Sequence, residues 1–512
     1  MIQFKTLQNG NDVRGVAIAT QDEPRTLSAG AVTFIAASFA DYLVQKMGKA
    51  APFLRIGVGH DSRISAHELK KACFAGLGNT RIYYCGLIST PAMFQSTVLE
   101  ASHFDGAIML TASHLPYQRN GMKFFTRDGA INKAELSQIL DHAADLCAQF
   151  GAVDRDGLAL SGGFVRGDNQ PETFDMIEVY TAQIREWIKS VVKAADYEHP
   201  LAGLHIIEDA GNGAAGFFAG RILEPLGADI SGSVFLEPDG TFPNHVPNPE
   251  DATAMAAIQK ATRESGADLG VIFDCDGDRG EVVFADGPEV NRNALNALLA
   301  TIVAETAAGS TVVTESVPSD ELQDYLEHQL HLKHFRYKRG YKNVIDKAIE
   351  LNQNGVRCEL AIETSGHGAF KENYFSDDGA YIATKIIAKM AILKREGRRI
   401  EDLISGLRYP AESREIRFKI THPDFVDYGK MVLEEFRAFA HDDDRFIIVE
   451  PNFEGIRVRF DDSEVCGWML FRMSLHDPAM PLNIESKTNG GVDIIMHRLE
   501  SFFCNYSKLV RI

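Results

Sequence analysis

Short apolar runs alternate with longer amphipathic stretches along most of the chain. Residues 53–61, FLRIGVGHD, run apolar into polar, which predicts a strand delivering a loop. Residues 67–79, HELKKACFAGLGN, have helical spacing and close on glycine, and 81–87, RIYYCGL, return to a strand. Strand, helix, strand in that order predicts a parallel βαβ unit. The order recurs. Residues 204–227 read as strand, Gly-rich turn and helix, 254–266 as helix, and 268–279 as a strand running into a loop. A strand starts again at 310–316, and 359–370 give a strand and loop followed by a helix over 378–397. This recurrence points to related α/β domains. Toward the C-terminus the pattern changes: REIRFKI, RFIIVEPN, GIRVRF and CGWMLFRMS read as strands, with a helix at 424–440. That is an α+β organisation. Punctuation near 158–171 and a polar stretch near 405–414 mark joints.

The 512 residues predict about three or four domains. Lys plus Arg number 52 against 71 Asp plus Glu, a formal charge of −19. A general nucleic-acid binder needs net positive charge to displace counterions, and attachment to acidic membranes by bulk charge needs the same, so both are disfavoured. An anionic small substrate is not, because a cleft can gather Arg and Lys locally. No window reaches the ~18 apolar residues of a membrane span; residues 30–44 are the most apolar stretch near the start and carry Asp41. The first residues lack the basic flank and apolar run of a signal peptide. Seven dispersed cysteines form no CxxC pair and read as reduced. The expected compartment is cytoplasmic.

Four segments carry candidate chemistry. In AIMLTASHLPYQRNGMKFF (107–125), an apolar strand delivers Ser113 and His114 into an irregular loop, and a second strand returns with Lys123. The serine reads as a nucleophile or as part of a plain Ser-rich turn. In VIFDCDGDRGEVVF (271–284), Asp274, Asp276 and Asp278 leave a strand at alternate positions, and Gly277 lets the loop tighten. Three clustered carboxylates repel without a cation, and an oxygen-only ligand set favours Mg²⁺ or Ca²⁺ over zinc. Arg279 follows directly, either to hold phosphate or to brace the loop. In IETSGHGAF (362–370), Glu363, Ser365 and His367 alternate around Gly366, as a sugar-binding loop or an ordinary turn. In GWMLFRMSLHDPAMPLNIES (467–486), Arg472, Ser474 and His476 recur at period two, as a phosphate clamp or an edge-strand face. Two further segments, Asn11–Gly15 with Arg14 and the basic RYKRGYKN (336–343) with Lys342, say little alone: the first reads as a turn, the second as surface.

The order of these loops resembles the α-D-phosphohexomutase superfamily, which includes phosphoglucomutase and phosphomannomutase, over nearly the whole chain. DVRG (12–15) looks like its N-terminal turn, GHDSR (59–63) and STPAM (89–93) like first-domain landmarks, and DAGNGAAG (209–216) and EPDGTFPNHVPNPE (237–250) like second-domain landmarks. The last loop departs: Leu475, His476 and Asp477 stand where the family has Asn, Thr and Glu. The resemblance implies three related α/β domains, 1–165, 166–290 and 291–405, and a C-terminal α+β domain, 406–512, around a central cleft. It implies that phospho-Ser113 exchanges its phosphoryl group with a hexose phosphate through a hexose 1,6-bisphosphate. Mg²⁺ would sit on Asp274, Asp276, Asp278 and the Ser113 phosphate. Arg14, Lys123 and Arg279 would offset charge, and Lys123 or His114 would take the hydroxyl proton. Glu363, Ser365 and His367 would meet the sugar; Lys342 matches a third-domain substrate loop; Arg472, Ser474 and His476 would hold the second phosphate. The expected partners are small hexose phosphates, with no nucleic acid and no membrane; oligomeric state is unread. Thr364 in the sugar loop favours mannose or glucose over glucosamine, and phosphoglucosamine mutase stays open as an alternative. VIFDCDG also mimics the strand-borne nucleophile of haloacid-dehalogenase-like phosphatases, with Asp274 attacking, and the altered last loop leaves a non-catalytic sugar-phosphate sensor open.

Overall fold

The βαβ pattern of residues 53–87 is realised in full. The computed structural model describes residues 4–153, 159–160, 164, 166–167, 169–287, 290, 292–474 and 477–512. It divides into two compact units, one of residues up to 290 with 365–368 and 376–400, the other of 291–364, 369–375 and 401–512.

In the first unit, β1 (Asp12–Val16), β2 (Arg55–His60), β3 (Arg81–Leu87), β4 (Gly106–Leu110) and β5 (Arg119–Thr126) lie side by side in the order β1-β5-β4-β2-β3. β2 pairs parallel with both β3 and β4, while β5 runs antiparallel to β4 and β1. The helix Ala29–Met47 starts at Ser28, whose hydroxyl accepts from the Ala31 amide, and stops at Gly48 in the left-handed region. Its Phe34, Ile35, Phe39 and Leu43 are wholly buried with Ile56, Val58, Ile108 and Leu110 of the sheet. β4 is buried at all five positions, so the loop that follows it starts from a fixed strand end. A smaller sheet joins β6 (Ile206–Asp209), parallel to β7 (Leu269–Phe273), and β8 (Gly280–Phe284), antiparallel to β7. The triple-aspartate segment is thus the turn of a fully buried hairpin.

Two readings change. The Asp12–Gly15 turn is a strand, because it pairs with β5 across Arg14 and Gly121. The helix expected after the Gly-rich turn shrinks to a π turn, Ala219–Leu223, and a 3₁₀ turn, Glu224–Leu226. Pro225 has no amide to continue an α-helical ladder there.

In the second unit, Thr311–Thr314 pairs parallel with Lys333–Arg336 and Cys358–Ile362. A separate antiparallel sheet orders Ile447–Ile448, Ile456–Asp461, Cys466–Phe471, Ala479–Ser486, Glu412–Ile420 and Leu509–Arg511. Helices Phe425–His441 and Gly491–Phe503 cover its apolar core. RFIIVEPN pairs at Ile447–Ile448, with the Val449 amide also donating to the Arg457 carbonyl; the strand into FRMS ends at Phe471, and the Arg472 and Ser474 amides beyond it still donate to the Pro481 and Ala479 carbonyls opposite. Among the described residues no helix is long and apolar enough to cross a membrane.

This sheet holds a buried carboxyl that should read out in stability. Burial, and then the charge of Glu321, push Glu485 up to about 7, while the Trp468 indole donates to it at 3.0 Å. A folded value above the unfolded one means the contribution is complete below about pH 4.5 and is lost as pH rises through 7. Glu485→Gln is expected to leave the urea midpoint unchanged at pH 4.5 and to raise stability at pH 8 by on the order of 3 kcal/mol. Trp468 fluorescence in a Trp187→Phe background reads the transition.

Candidate active site

Ser113 leaves β4 with φ near 50°. A non-glycine residue in this region costs about 1–2 kcal/mol, so surrounding bonds must hold it. The Thr111 hydroxyl accepts from the Ser113 amide at 2.8 Å, and Ser113 Oγ donates to Asp274 Oδ2 at 2.9 Å. His114 Nδ1 lies 3.3 Å from the same Oγ. Serine and carboxylate are 161 residues apart in sequence.

Asp274, Asp276 and Asp278 are wholly buried or nearly so, and one oxygen of each lies within 4.8 Å of the others. Gly277, at φ 70°, makes the turn that lets them converge. Lys123 Nζ donates to Asp276 at 3.0 Å and to Asp278 at 2.5 Å; Arg279 Nε meets Asp274 at 3.3 Å. The Thr90 hydroxyl donates to Asp276 at 2.5 Å. Burial, and then Asp278 and Asp276, raise Asp274 above the usual carboxylate range. Burial acts the same way on Asp276, yet Lys123, Thr90 and Arg14 outweigh it and hold that group below the range. Lys123 and Arg279 therefore offset part of the cluster's charge. Asp276 Oδ1 and Asp278 Oδ1 are buried without a hydrogen-bond partner. An all-carboxylate set with two such oxygens fits a hard divalent cation.

The flanking groups are ordered by the same elements. Arg14 Nη2 pairs with Asp12 at 2.8 Å. Opposite Arg14, a Cβ on Gly121 would lie 2.1 Å from the Val13 carbonyl and 2.8 Å from that of Thr111. Gly121→Ala must spread β1 from β5, and is expected to cost about 1–3 kcal/mol in urea unfolding. Desolvation, then Arg279 and Arg14, lower the His114 pKa to about 3, although the residue keeps solvent-exposed surface. His367 Nδ1 lies 2.6 Å from Asp377 and 4.0 Å from Asp278. Although burial opposes it, Asp377 and Asp278 raise His367 to about 9, so it carries a proton at neutral pH. Ser365 is buried beside it in sequence.

In the second unit Glu363 is buried and accepts from the Gly340 amide at 2.6 Å, at the start of the helix Tyr341–Gln353. That helix carries Lys342, paired with Asp346 at 2.9 Å. Glu315 Oε1 accepts from the Thr364 amide at 2.9 Å and from its hydroxyl. Arg472 is buried, and none of the described carboxylates comes within ion-pair distance of it; its Nε has no acceptor. Burial and then Arg339 lower its pKa, with Arg417 adding to the same effect. Such a site attracts an anion. Ser474 Oγ accepts from the Asp477 amide at 3.3 Å. His476 lies outside the described residues.

The first unit thus brings together Ser113, His114, Lys123, the three aspartates, Arg279 and His367. The residue-by-residue reading had no role for Thr90, Glu250, Glu315 or Asp377. STPAM and NHVPNPE signalled two of them as motifs, and only folding showed their contacts: Thr90 reaches Asp276, and Glu250 meets Arg279 at 3.3 Å.

Three family models match: phosphoglucomutase/phosphomannomutase alpha/beta/alpha domain I over residues 5–147, domain II over 179–287 and domain III over 291–409. A phosphomannomutase/phosphoglucomutase of Pseudomonas syringae pv. tomato is 28% identical over 445 residues, covering 86% of this chain and 85% of its own. A phosphoglucomutase of Neisseria gonorrhoeae is 26% identical over 499 residues, covering 96% and 95%. Among solved structures, a phosphoglucomutase/phosphomannomutase family protein of Burkholderia thailandensis superposes with a TM-score of 0.77 at 24% identity, over 99% of this chain and 98% of that one.

Proposed function

The chain belongs to the phosphoglucomutase/phosphomannomutase family of isomerases, and we propose that it interconverts hexose 1-phosphate and hexose 6-phosphate through phospho-Ser113. The observation that carries the reading is Ser113 Oγ at 2.9 Å from Asp274, inside a buried carboxylate cluster neutralised by Lys123 and Arg279. The Ser113 Oγ–P bond breaks as the phosphoryl group passes to a free hydroxyl of the bound hexose phosphate; that hydroxyl gives up its proton, Ser113 Oγ takes one up to become a hydroxyl again, and a hexose 1,6-bisphosphate forms. After the sugar turns over, its other phosphoryl group returns to Ser113. Mannose and glucose phosphates are the proposed substrates.

Asp274, Asp276 and Asp278 would hold Mg²⁺, which when bound draws charge from the phosphoryl oxygens. Lys123, Arg279 and Arg14 offset charge on the group in transfer, since phosphoryl transfer rests on positioning and electrostatics. His367, protonated beside Asp377, holds a proton it can give to an oxygen. Lys123 or His114 takes the proton of the sugar hydroxyl. Glu363 and Ser365 take sugar hydroxyls; Lys342, Arg472 and Ser474 take the phosphate that does not react, with His476 as the further candidate. The phosphoglucosamine, phosphatase and sensor readings are not favoured, because the relatives reported above carry phosphomannomutase/phosphoglucomutase names.

Purified protein with Mg²⁺, a trace of glucose 1,6-bisphosphate and glucose 1-phosphate or mannose 1-phosphate tests the reading. Appearance of the 6-phosphate supports it, and the two rates rank the sugars. Free phosphate alone, or silence with both sugars, overturns it. Arg472→Ala is expected to raise KM roughly 10- to 100-fold with kcat little changed, from the loss of charged hydrogen bonds made equally to substrate and transition state. Steady-state kinetics over a range of sugar phosphate separates the two constants.

A further inference from the structure

The GHDSR segment entered above only as a landmark. Arg63 in it has no solvent-exposed side-chain surface, and neither has Asp61. Four backbone carbonyls take its guanidinium, three from the serine loop and one from the first residue of β5: Nη2 donates to Ser113 O and, at 2.7 Å, to Leu115 O; Nη1 donates to Pro116 O at 2.8 Å and to Arg119 O at 3.0 Å. Its Nε donates to Asp61 Oδ2 at 3.0 Å. That carboxylate oxygen also accepts from the Thr111 hydroxyl at 2.7 Å and from the Cys275 thiol at 3.3 Å. Thr111 in turn accepts from the Ser113 amide, and Cys275 lies between two of the aspartates. One ion pair therefore ties the serine loop to the aspartate loop. The second-domain landmark EPDG covers it. A Cβ on Gly240 would come within 2.4 Å of the Ser62 carbonyl, and Arg63 Cζ lies 5.2 Å from the centre of the Phe242 ring.

We infer that Arg63, held by Asp61, is a positioning residue that keeps Ser113 in its left-handed conformation with Oγ turned to the aspartate cluster. The planar trans peptide adds a consequence. With the Ser113 carbonyl bound to Arg63, the His114 N–H points to the opposite side. That N–H donates to no acceptor among the described residues, so it is available to a phosphoryl oxygen carried on Ser113. A guanidinium suits this task because its fork reaches several acceptors at fixed angles, which an ammonium does not.

The catalytic half of the inference rests on the mutase reading; the loop-holding half does not, and the experiment separates them. Arg63→Lys in the full chain is expected to speed amide hydrogen exchange across 111–119 at least tenfold and to leave exchange in the second unit unchanged. In the mutase assay it should lower kcat roughly 100-fold, the scale of a displaced nucleophile, with KM changed less than about threefold. Arg63→Ala should recover rate with millimolar guanidinium chloride and not with equal sodium chloride, a rescue that a general brace on the fold would not give. Thr111→Val removes one link without touching the guanidinium, and should reproduce the kcat loss in part if Arg63→Ala fails to fold. Parental exchange across 111–119 in Arg63→Lys, or parental kcat in both Arg63→Lys and Thr111→Val, overturns the inference. A parent protein that converts no hexose phosphate overturns the mutase reading instead, and the exchange data still decide whether Arg63 holds the loop.

Discussion

Ser113→Ala is expected to abolish interconversion of hexose 1- and 6-phosphates, by at least roughly 10⁴-fold, the scale on which removing a nucleophile acts. The variant loses the oxygen that carries the phosphoryl group. The remaining groups near the carboxylates cannot replace it: Lys123 is held by two aspartates, and the Cys275 thiol is buried and raised in pKa by desolvation and by Asp61. The fold should survive, because the backbone bonds that hold the loop run through the Ser113 amide and carbonyl. Circular dichroism should match the parent, and intact mass after incubation with glucose 1,6-bisphosphate should show one phosphate gained by the parent and none by the variant. Phosphate on the variant would move the acceptor elsewhere, with Asp274 first.

Asp276→Asn should have the second-largest effect: kcat lower by about 10³-fold and activation by Mg²⁺ weakened by more than about 100-fold. The substitution removes one charge from the ligand set and one partner of Lys123. Lys123 keeps Asp278 at 2.5 Å, so no buried cation is left alone and the protein should fold. The parent should gain thermal stability as Mg²⁺ is added, since a ligand that binds only the folded state stabilises it. The variant should gain much less. Equal Mg²⁺ dependence in parent and variant would show that the cation sits elsewhere.

Much of this was readable from local pattern. The strands at 55–60, 81–87, 106–110 and 269–273 and the helices at 66–77, 252–265 and 425–441 lie where periodicity and caps put them. They are regular, buried on a consistent face, and bounded by polar or glycine-rich turns. Misreadings arose where a neighbour overrode local preference. Residues 12–16 are too short and too polar to declare a strand, and become one because β5 offers a partner. Residues 218–226 carry enough apolar residues for a helix, but Pro225 breaks the hydrogen-bond ladder. Arg472 and Ser474, at period two, lie past the strand end at Phe471 with their amides still bonded to Pro481 and Ala479 across the sheet.

The chemistry divides along the same line. The sequence alone singled out the candidate loops, because a serine after an apolar strand, three alternating carboxylates and a Glu-x-Ser-Gly-His run are each complete within a few residues. It determined the family for the same reason, since ordered short motifs survive at identities near 28%. Only the tertiary structure decided which groups meet. Ser113 reaches Asp274 across 161 positions, Thr90 reaches Asp276 across 186, and Lys123 neutralises two aspartates more than 150 residues away. Titration was shaped there as well: the lowered His114, the raised Asp274 and the charged His367 follow from burial and from neighbours that the chain brings in from distant positions. Electrostatic energies fall off with distance in space, and position along the chain does not report that distance until the chain has folded.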